Sequence, residues 1–223
     1  MRKALAGGLG FASIIAVLAV ASVALGGHDR QQLDRFDFTT EKPNKATGLK
    51  FKIDYGEPES DRALERMVAT FEKGTEYDDS APRRCKASDA ELEAEGADAC
   101  PARSIIGDGV VRARAFAMDG TADVTLLNSR AEVILLSEVR ELPGVRFADR
   151  APVDEARRKI IVETPDEFSL RRIRLNVARI TEGGDEYLKT PDKCPDSGRW
   201  INKLKLEYRD GFEDKEREKS PCD

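Results

Sequence analysis

Histidine is nearly missing from this chain: 223 residues contain one, His28. Ser-His-Asp and Cys-His mechanisms need an imidazole to shuttle the proton. A lone histidine beside an N-terminal apolar run nearly rules both out. No lysine sits in an apolar context that would depress its pKa, which argues against a Ser-Lys pair. No CxxC occurs, so the ligand spacing of a Cys/His zinc site is absent as well. Positive charge is not in excess either, with 37 Lys and Arg against 42 Asp and Glu. The basic residues are interspersed with acids, so the electrostatic footprint that neutralises phosphates is lacking and nucleic acid is not an expected partner. No long Pro- or Gly-rich tract divides the chain, and no second apolar span or sorting motif follows near the C-terminus.

One long apolar run is present. Met1-Arg2-Lys3 precede an uncharged stretch from Ala4 to Gly27, the charge-then-apolar order of a secretory signal. Ala19-Val20-Ala21 before Ser22 and Ala24-Leu25-Gly26 before Gly27 are small-x-small cleavage sites. Residues 1–26 therefore read as a signal peptide, with an uncleaved N-terminal membrane anchor as the alternative, because about 20 apolar residues can span a bilayer. Under either reading a tether through residues 4–27 or a cleaved leader puts the rest outside the cytoplasm. No cysteine lies near Gly26, which excludes lipoprotein processing. Loss of Arg2 and Lys3 takes the formal charge from -5 to about -7, a solvated mixed-sign surface.

Residues 27–223 suit a single domain. They hold Cys85, Cys100, Cys194 and Cys222. An even count in an exported chain indicates a disulfide framework. Three pairings are open, of which Cys85–Cys100 with Cys194–Cys222 closes the shortest loops. Each such bridge is worth about 3 kcal/mol on the loop-entropy model.

Period-two alternation dominates the remainder. Leu49, Phe51, Ile53 and Tyr55 alternate with Lys50, Lys52 and Asp54; Trp200, Leu204, Leu206 and Tyr208 alternate with Ile201, Lys203, Lys205 and Glu207. Both read as half-buried strands. Asp210-Gly211 predicts a tight hairpin from the second into Phe212–Lys219. Further strands are expected at Asp34–Thr40, Gly109–Ala117, Ala122–Leu127, Val145–Ala148 and Lys159–Thr164. Val133–Val139 is apolar on both faces, which predicts a central strand covered on both sides. The apolar parity changes between Phe168/Leu170 and Ile173/Leu175/Val177, so a bulge is expected near Arg171–Arg172. Ser88–Glu95 reads as a short helix with Ser88 as N-cap. Arg62–Lys73 is ambiguous: Leu64, Met67, Val68 and Phe71 have helical spacing, while Met67, Ala69 and Phe71 fit a strand.

Candidate chemistry is sparse. Tyr77-Asp78-Asp79-Ser80 offers hard oxygen ligands for calcium, but without the spaced acids and glycine of a calcium loop it reads as a turn before Pro82. Gly107-Asp108-Gly109 lacks the Lys-Ser/Thr and helix of a phosphate loop, and reads as a turn or bulge. Paired carboxylates could serve glycan hydrolysis, but acids such as Asp54 and Glu207 alternate with apolar strand residues and read as a solvated face. Of the aromatics able to stack on sugars (Tyr55, Tyr187, Trp200, Tyr208), Tyr55, Trp200 and Tyr208 share parity with core positions.

Several blocks occur in order: Phe71-Glu72-Lys73-Gly74-Thr75-Glu76-Tyr77, Cys85-Lys86-Ala87-Ser88-Asp89, Cys100-Pro101, Ile106-Gly107-Asp108-Gly109, Cys194-Pro195, Gly198-Arg199-Trp200, Tyr208-Arg209-Asp210-Gly211 and Ser220-Pro221-Cys222. The set resembles a family of uncharacterised exported actinobacterial proteins with two Cys-Pro disulfide blocks. The resemblance implies pairing of Cys85 with Cys100 and of Cys194 with Cys222, and a strand at Met67–Phe71. It implies no catalytic residue.

The sequence thus predicts an all-β, antiparallel β-sandwich, Ig-like or jelly-roll-like, with one short helix in a disulfide loop. The expected function is an exported, non-enzymatic, envelope-associated binding or structural module needing no cofactor, its partner an envelope protein or glycan. Loops at one end of the sandwich would carry the binding. The alternative is a carboxylate-dependent enzyme acting on envelope glycans.

Overall fold

A computed structural model describes residues 32–54, 63–115, 118–166 and 168–223. The N-terminal segment 1–26, His28 and Tyr55 lie outside the described residues. Among the described residues, no helix is long and apolar enough to cross a membrane.

The elements in chain order are β1 (Gln32–Phe38), β2 (Leu49–Asp54), β3 (Leu64–Thr70), β4 (Glu76–Tyr77), α1 (Asp89–Glu95), β5 (Ile105–Ala115), β6 (Met118–Ser129), β7 (Glu132–Val139) and β8 (Arg146–Asp154). They continue with β9 (Lys159–Glu163), β10 (Ser169–Val177), β11 (Thr181–Glu182), β12 (Asp185–Glu186), β13 (Leu188–Lys189), β14 (Arg199–Tyr208) and β15 (Glu213–Pro221). Eleven strands form one sheet in the order β1-β2-β10-β5-β6-β7-β8-β9-β3-β14-β15, with every neighbouring pair antiparallel. Strand β8 is the fold line. Its residues Arg146–Pro152 pair with β7, and Val153 and Asp154 pair with β9. The sheet doubles over there, so that β1 at one edge comes to lie alongside β15 at the other. The result is a sandwich closed like a barrel around one principal core.

Alternation sets which side chains enter that core. Phe36, Phe51, Ile53, Ile173, Val124, Leu135, Ala151, Leu204 and Leu206 all point inward and are buried. The expected bulge in β10 is present, with the register to β5 shifting between Leu170 and Arg172. A second bulge explains the ambiguous segment. The register between β14 and β3 shifts between Glu207 and Tyr208, which leaves Glu65 as the extra residue and puts Leu64 and Met67 on one face. Three-residue spacing there is the mark of a bulged strand, not of a helix.

The sequence boundaries fall short at several strands. Gly107-Asp108-Gly109 lies inside β5, beside a register shift between Ile105 and Gly107, so the expected bulge sits in a strand that begins earlier than Gly109. Strand β8 runs to Asp154, well past Ala148, because backbone pairing with β7 continues through residues lacking a clean alternation.

Strand β7 is covered on both sides. Val133 and Leu135 face the principal core, while Ile134 and Leu136 join a second cluster with Leu92, Cys85 and Cys100. Leu92 is the buried residue of α1, whose capping box is complete: Ser88 Oγ accepts from the Glu91 amide at 3.3 Å, and Glu91 Oε2 accepts from the Ser88 amide at 2.7 Å. Cys85 is bonded to Cys100 and Cys194 to Cys222, with Cα separations of 5.0 and 5.6 Å. The first bridge holds the helical loop against β7; the second fixes the chain end beside the principal core.

Candidate functional site

The principal core is not filled. Small side chains face one another across it: Ala69 from β3, Val133 from β7, Val153 from β8, Val162 from β9 and Val177 from β10. Larger residues on these strands and on β2, Met67, Leu135, Leu175 and Phe51, enclose the remaining space without filling it. A cavity of about 110 Å³ results. Its walls are almost wholly aliphatic or aromatic, and apolar cavities of this kind stay dry and take up apolar guests.

One end of the cavity is capped by a lid of chain outside the eleven-stranded sheet. Strand β4 pairs with β13, Leu188 opposite Tyr77. The Thr47 amide donates to Leu188 O at 2.8 Å, and buried Thr190 accepts from the Lys45 amide at 3.1 Å and donates to Lys42 O at 2.9 Å. Three distant segments are thereby fastened over the barrel end. The lid presents Thr75, Tyr77 and Tyr187 to the cavity, and the β8–β9 turn presents Glu155 and Arg158.

The two tyrosines form an edge-on pair, with ring centroids 5.0 Å apart and Tyr187 Oη 3.4 Å from Tyr77 Oη, a long contact. Burial pushes the Tyr77 phenol up to about 12, against the smaller lowering effect of Tyr187, with Asp79 and Glu155 pushing further. Burial also holds Tyr187 well above its ordinary value. Both phenols are protonated at neutral pH, so they can donate hydrogen bonds but cannot act as bases.

Arg158 is the unusual member of the group. Its backbone lies in the left-handed region, φ 56°, where a side chain is strained. Its amide donates to Glu155 O at 3.1 Å, and its carbonyl accepts from the Phe71 amide at 3.0 Å, which ties the turn to the start of the lid. Its Nε is buried and has no hydrogen-bond partner.

Of the residues singled out from sequence, Tyr77 and Tyr187 line the cavity, and the others are elsewhere and mostly structural. Asp78 Oδ1 accepts from the Ser80 amide at 2.8 Å, forming a turn. Asp79 pairs with Arg84 and accepts from the Ala131 amide at 2.6 Å, so its oxygens are occupied by protein. Trp200, Tyr208 and Tyr187 are buried. A wide polar trough of about 870 Å³ runs beside the first disulfide loop. It carries Glu91, Glu95 and Glu182, but Glu91 caps α1 and Glu182 pairs with Arg103 at 3.0 Å. Among the described residues, no aromatic side chain lines that trough, so it lacks the sugar-stacking wall the glycan-hydrolase alternative calls for.

The cavity and Arg158 escaped the sequence reading. The small residues on core-facing positions of five strands were a signal, but one that acquires meaning only when those strands are known to be opposed. Arg158 has no sequence signature at all. The chain matches no protein-family model and no curated protein.

Proposed function

We propose that this protein is an exported binding module that takes a small apolar ligand between its sheets and does no chemistry on it. The observation that carries the reading is the unfilled apolar interior beneath a lid built from three segments. Well-packed cores leave few voids larger than a water molecule. A void of this size forgoes stability, as residual cavity volume costs about 24 cal/mol per Å³, and a guest would recover it. Export is supported by the leader-like N-terminus and by two formed disulfides, which are compatible with an oxidising compartment. The resemblance to exported actinobacterial proteins points to the envelope.

The methionines supply the test. The chain has three, Met1, Met67 and Met118. Met67 lines the cavity and Met118 is 67% exposed on the β5–β6 hairpin. With ¹³C-methyl methionine labelling, saturating benzene should move the Met67 resonance and leave Met118 in place. Ala69→Leu, which fills the space, should abolish the response while the folded spectrum persists. A Met67 line unmoved by benzene would reject the reading.

A further inference from the structure

We propose that Arg158 anchors the head group of the ligand, and that the ligand is a short apolar chain or single ring ending in a carboxylate. The proposal rests on the cavity being a binding site. Three observations at Arg158 converge. The side chain lines a cavity whose walls are mostly apolar, with Glu155 as the other charged lining residue. Its Nε is buried without an acceptor, although Glu155 belongs to the same turn. It also occupies a left-handed backbone position, φ 56°, which glycine or asparagine would hold with less strain.

Arg158 as a whole is half-buried, but its Nε–H is enclosed without an acceptor, and native proteins satisfy nearly all such groups. A guanidinium edge offers Nε–H and one Nη–H in parallel, the fork that a carboxylate accepts with both oxygens. A carboxylate there would fill the missing acceptor, and its apolar tail would lie along Val153, Ile160 and Val162. The Tyr77 and Tyr187 phenols, kept neutral by burial, add no negative charge, which leaves exposed Glu155 as the one carboxylate lining the cavity. The size of the interior limits the tail. An engineered cavity of about 150 Å³ takes benzene, so a chain of about five carbons is the fitting probe.

Pentanoate and pentanol, matched in carbon number, separate head group from tail in titrations read at the Met67 methyl. Pentanoate should bind about tenfold or more tightly than pentanol at neutral pH, the advantage of hydrogen bonds to a charged group. Arg158→Gln, which keeps most of the stem, should bring the ratio near one and leave pentanol affinity intact. Arg158→Lys should retain part of the preference. If Arg158→Gln does not give the native Met67 and Met118 lines, Arg158→Asn, which tolerates the left-handed backbone, carries the comparison. A preference for pentanoate that survives loss of the arginine overturns the anchor. So does equal binding of both probes to the unaltered protein, which would mean that water satisfies Nε. If neither probe nor benzene moves Met67, the binding reading itself fails, a result distinct from the other two.

Discussion

The Asn202 side-chain amide of β14 donates to the Phe36 carbonyl of β1 at 2.7 Å, joining two strands that no backbone ladder connects. Asn202 Oδ1 accepts from the Glu72 amide at 3.0 Å, and Glu72 Oε2 accepts from the Ile201 amide at 2.6 Å. One fully buried side chain thus pins the seam of the barrel and the approach to the lid. Asn202→Leu should cost roughly 1–3 kcal/mol for each partner left without its bond. Urea denaturation measures this; a loss below about 0.5 kcal/mol, the ordinary scatter for surface substitutions, would mean that the seam is held by packing alone.

The same seam carries partly buried acid. On β15 the core-side positions are Asp214, Glu216, Glu218 and Ser220, opposite Leu206, Leu204, Asn202 and Trp200. Inward-pointing charge on an edge strand discourages pairing with other chains. Burial holds Asp37 above its ordinary value of 3.8, against Arg35 and Lys50, and holds Glu218 above 4.5, with Asp37 and Asp34 adding to it and Arg35 opposing. Groups with raised folded values bind protons more tightly when folded, so their contribution is complete below the unfolded values and is lost as pH rises through the folded ones. Asp37→Asn cannot ionise. Its urea midpoint relative to wild type should therefore rise between pH 3.5 and neutrality (a span set by reference carboxylate values of about 4). A constant difference across that range would show that Asp37 does not titrate abnormally.

The two bridges should fail differently. Cys85–Cys100 belongs to the smaller cluster with Leu92, Ile134 and Leu136, and Cys194–Cys222 to the principal core. Each should contribute about 3 kcal/mol by loop closure. Replacing Cys85 and Cys100 with Ala should expose mainly the amides of α1 and its loop to hydrogen exchange. Replacing Cys194 and Cys222 should raise exchange throughout β14, β15 and the lid. Identical exchange patterns for the two variants would contradict the division into clusters.

Stability and ligand preference should part company at Arg158. Arg158→Gly removes a strained left-handed side chain and a buried donor without an acceptor. It should raise stability by about 1 kcal/mol, the cost of holding an L-residue in that region, while losing the preference for pentanoate. Lower stability from the glycine variant would indicate that the arginine is held by contacts within the protein.

On the proposed export, the mature molecule should begin near Ser22 or Gly27. Intact mass spectrometry of protein recovered from the producing cell checks this, since the full chain is 24.7 kDa. Retention of Met1 would instead indicate a tethered module, and cytosolic protein with four free thiols would remove the case for export.

Local chemistry by itself determined much of this protein. Alternation placed Phe51, Ile53, Leu204, Leu206 and Tyr208 inward, the parity change in β10 located its bulge, Ser88 marked the start of α1, and Asp210-Gly211 marked the hairpin, where Gly211 adopts φ 82°. Each depends on residues only a few positions apart, so the pattern is written in the chain. Tertiary structure alone decided the rest. That Leu64 and Met67 share a face depends on the partner strand β14, which lies more than a hundred residues away; their helical spacing was misleading for that reason. The order of the strands, the fold at β8 and the meeting of β1 with β15 follow from pairings between remote segments. The cavity exists because small side chains on five such strands converge. A side chain's face is a local property, but the space left between opposed faces belongs to the assembled sheet.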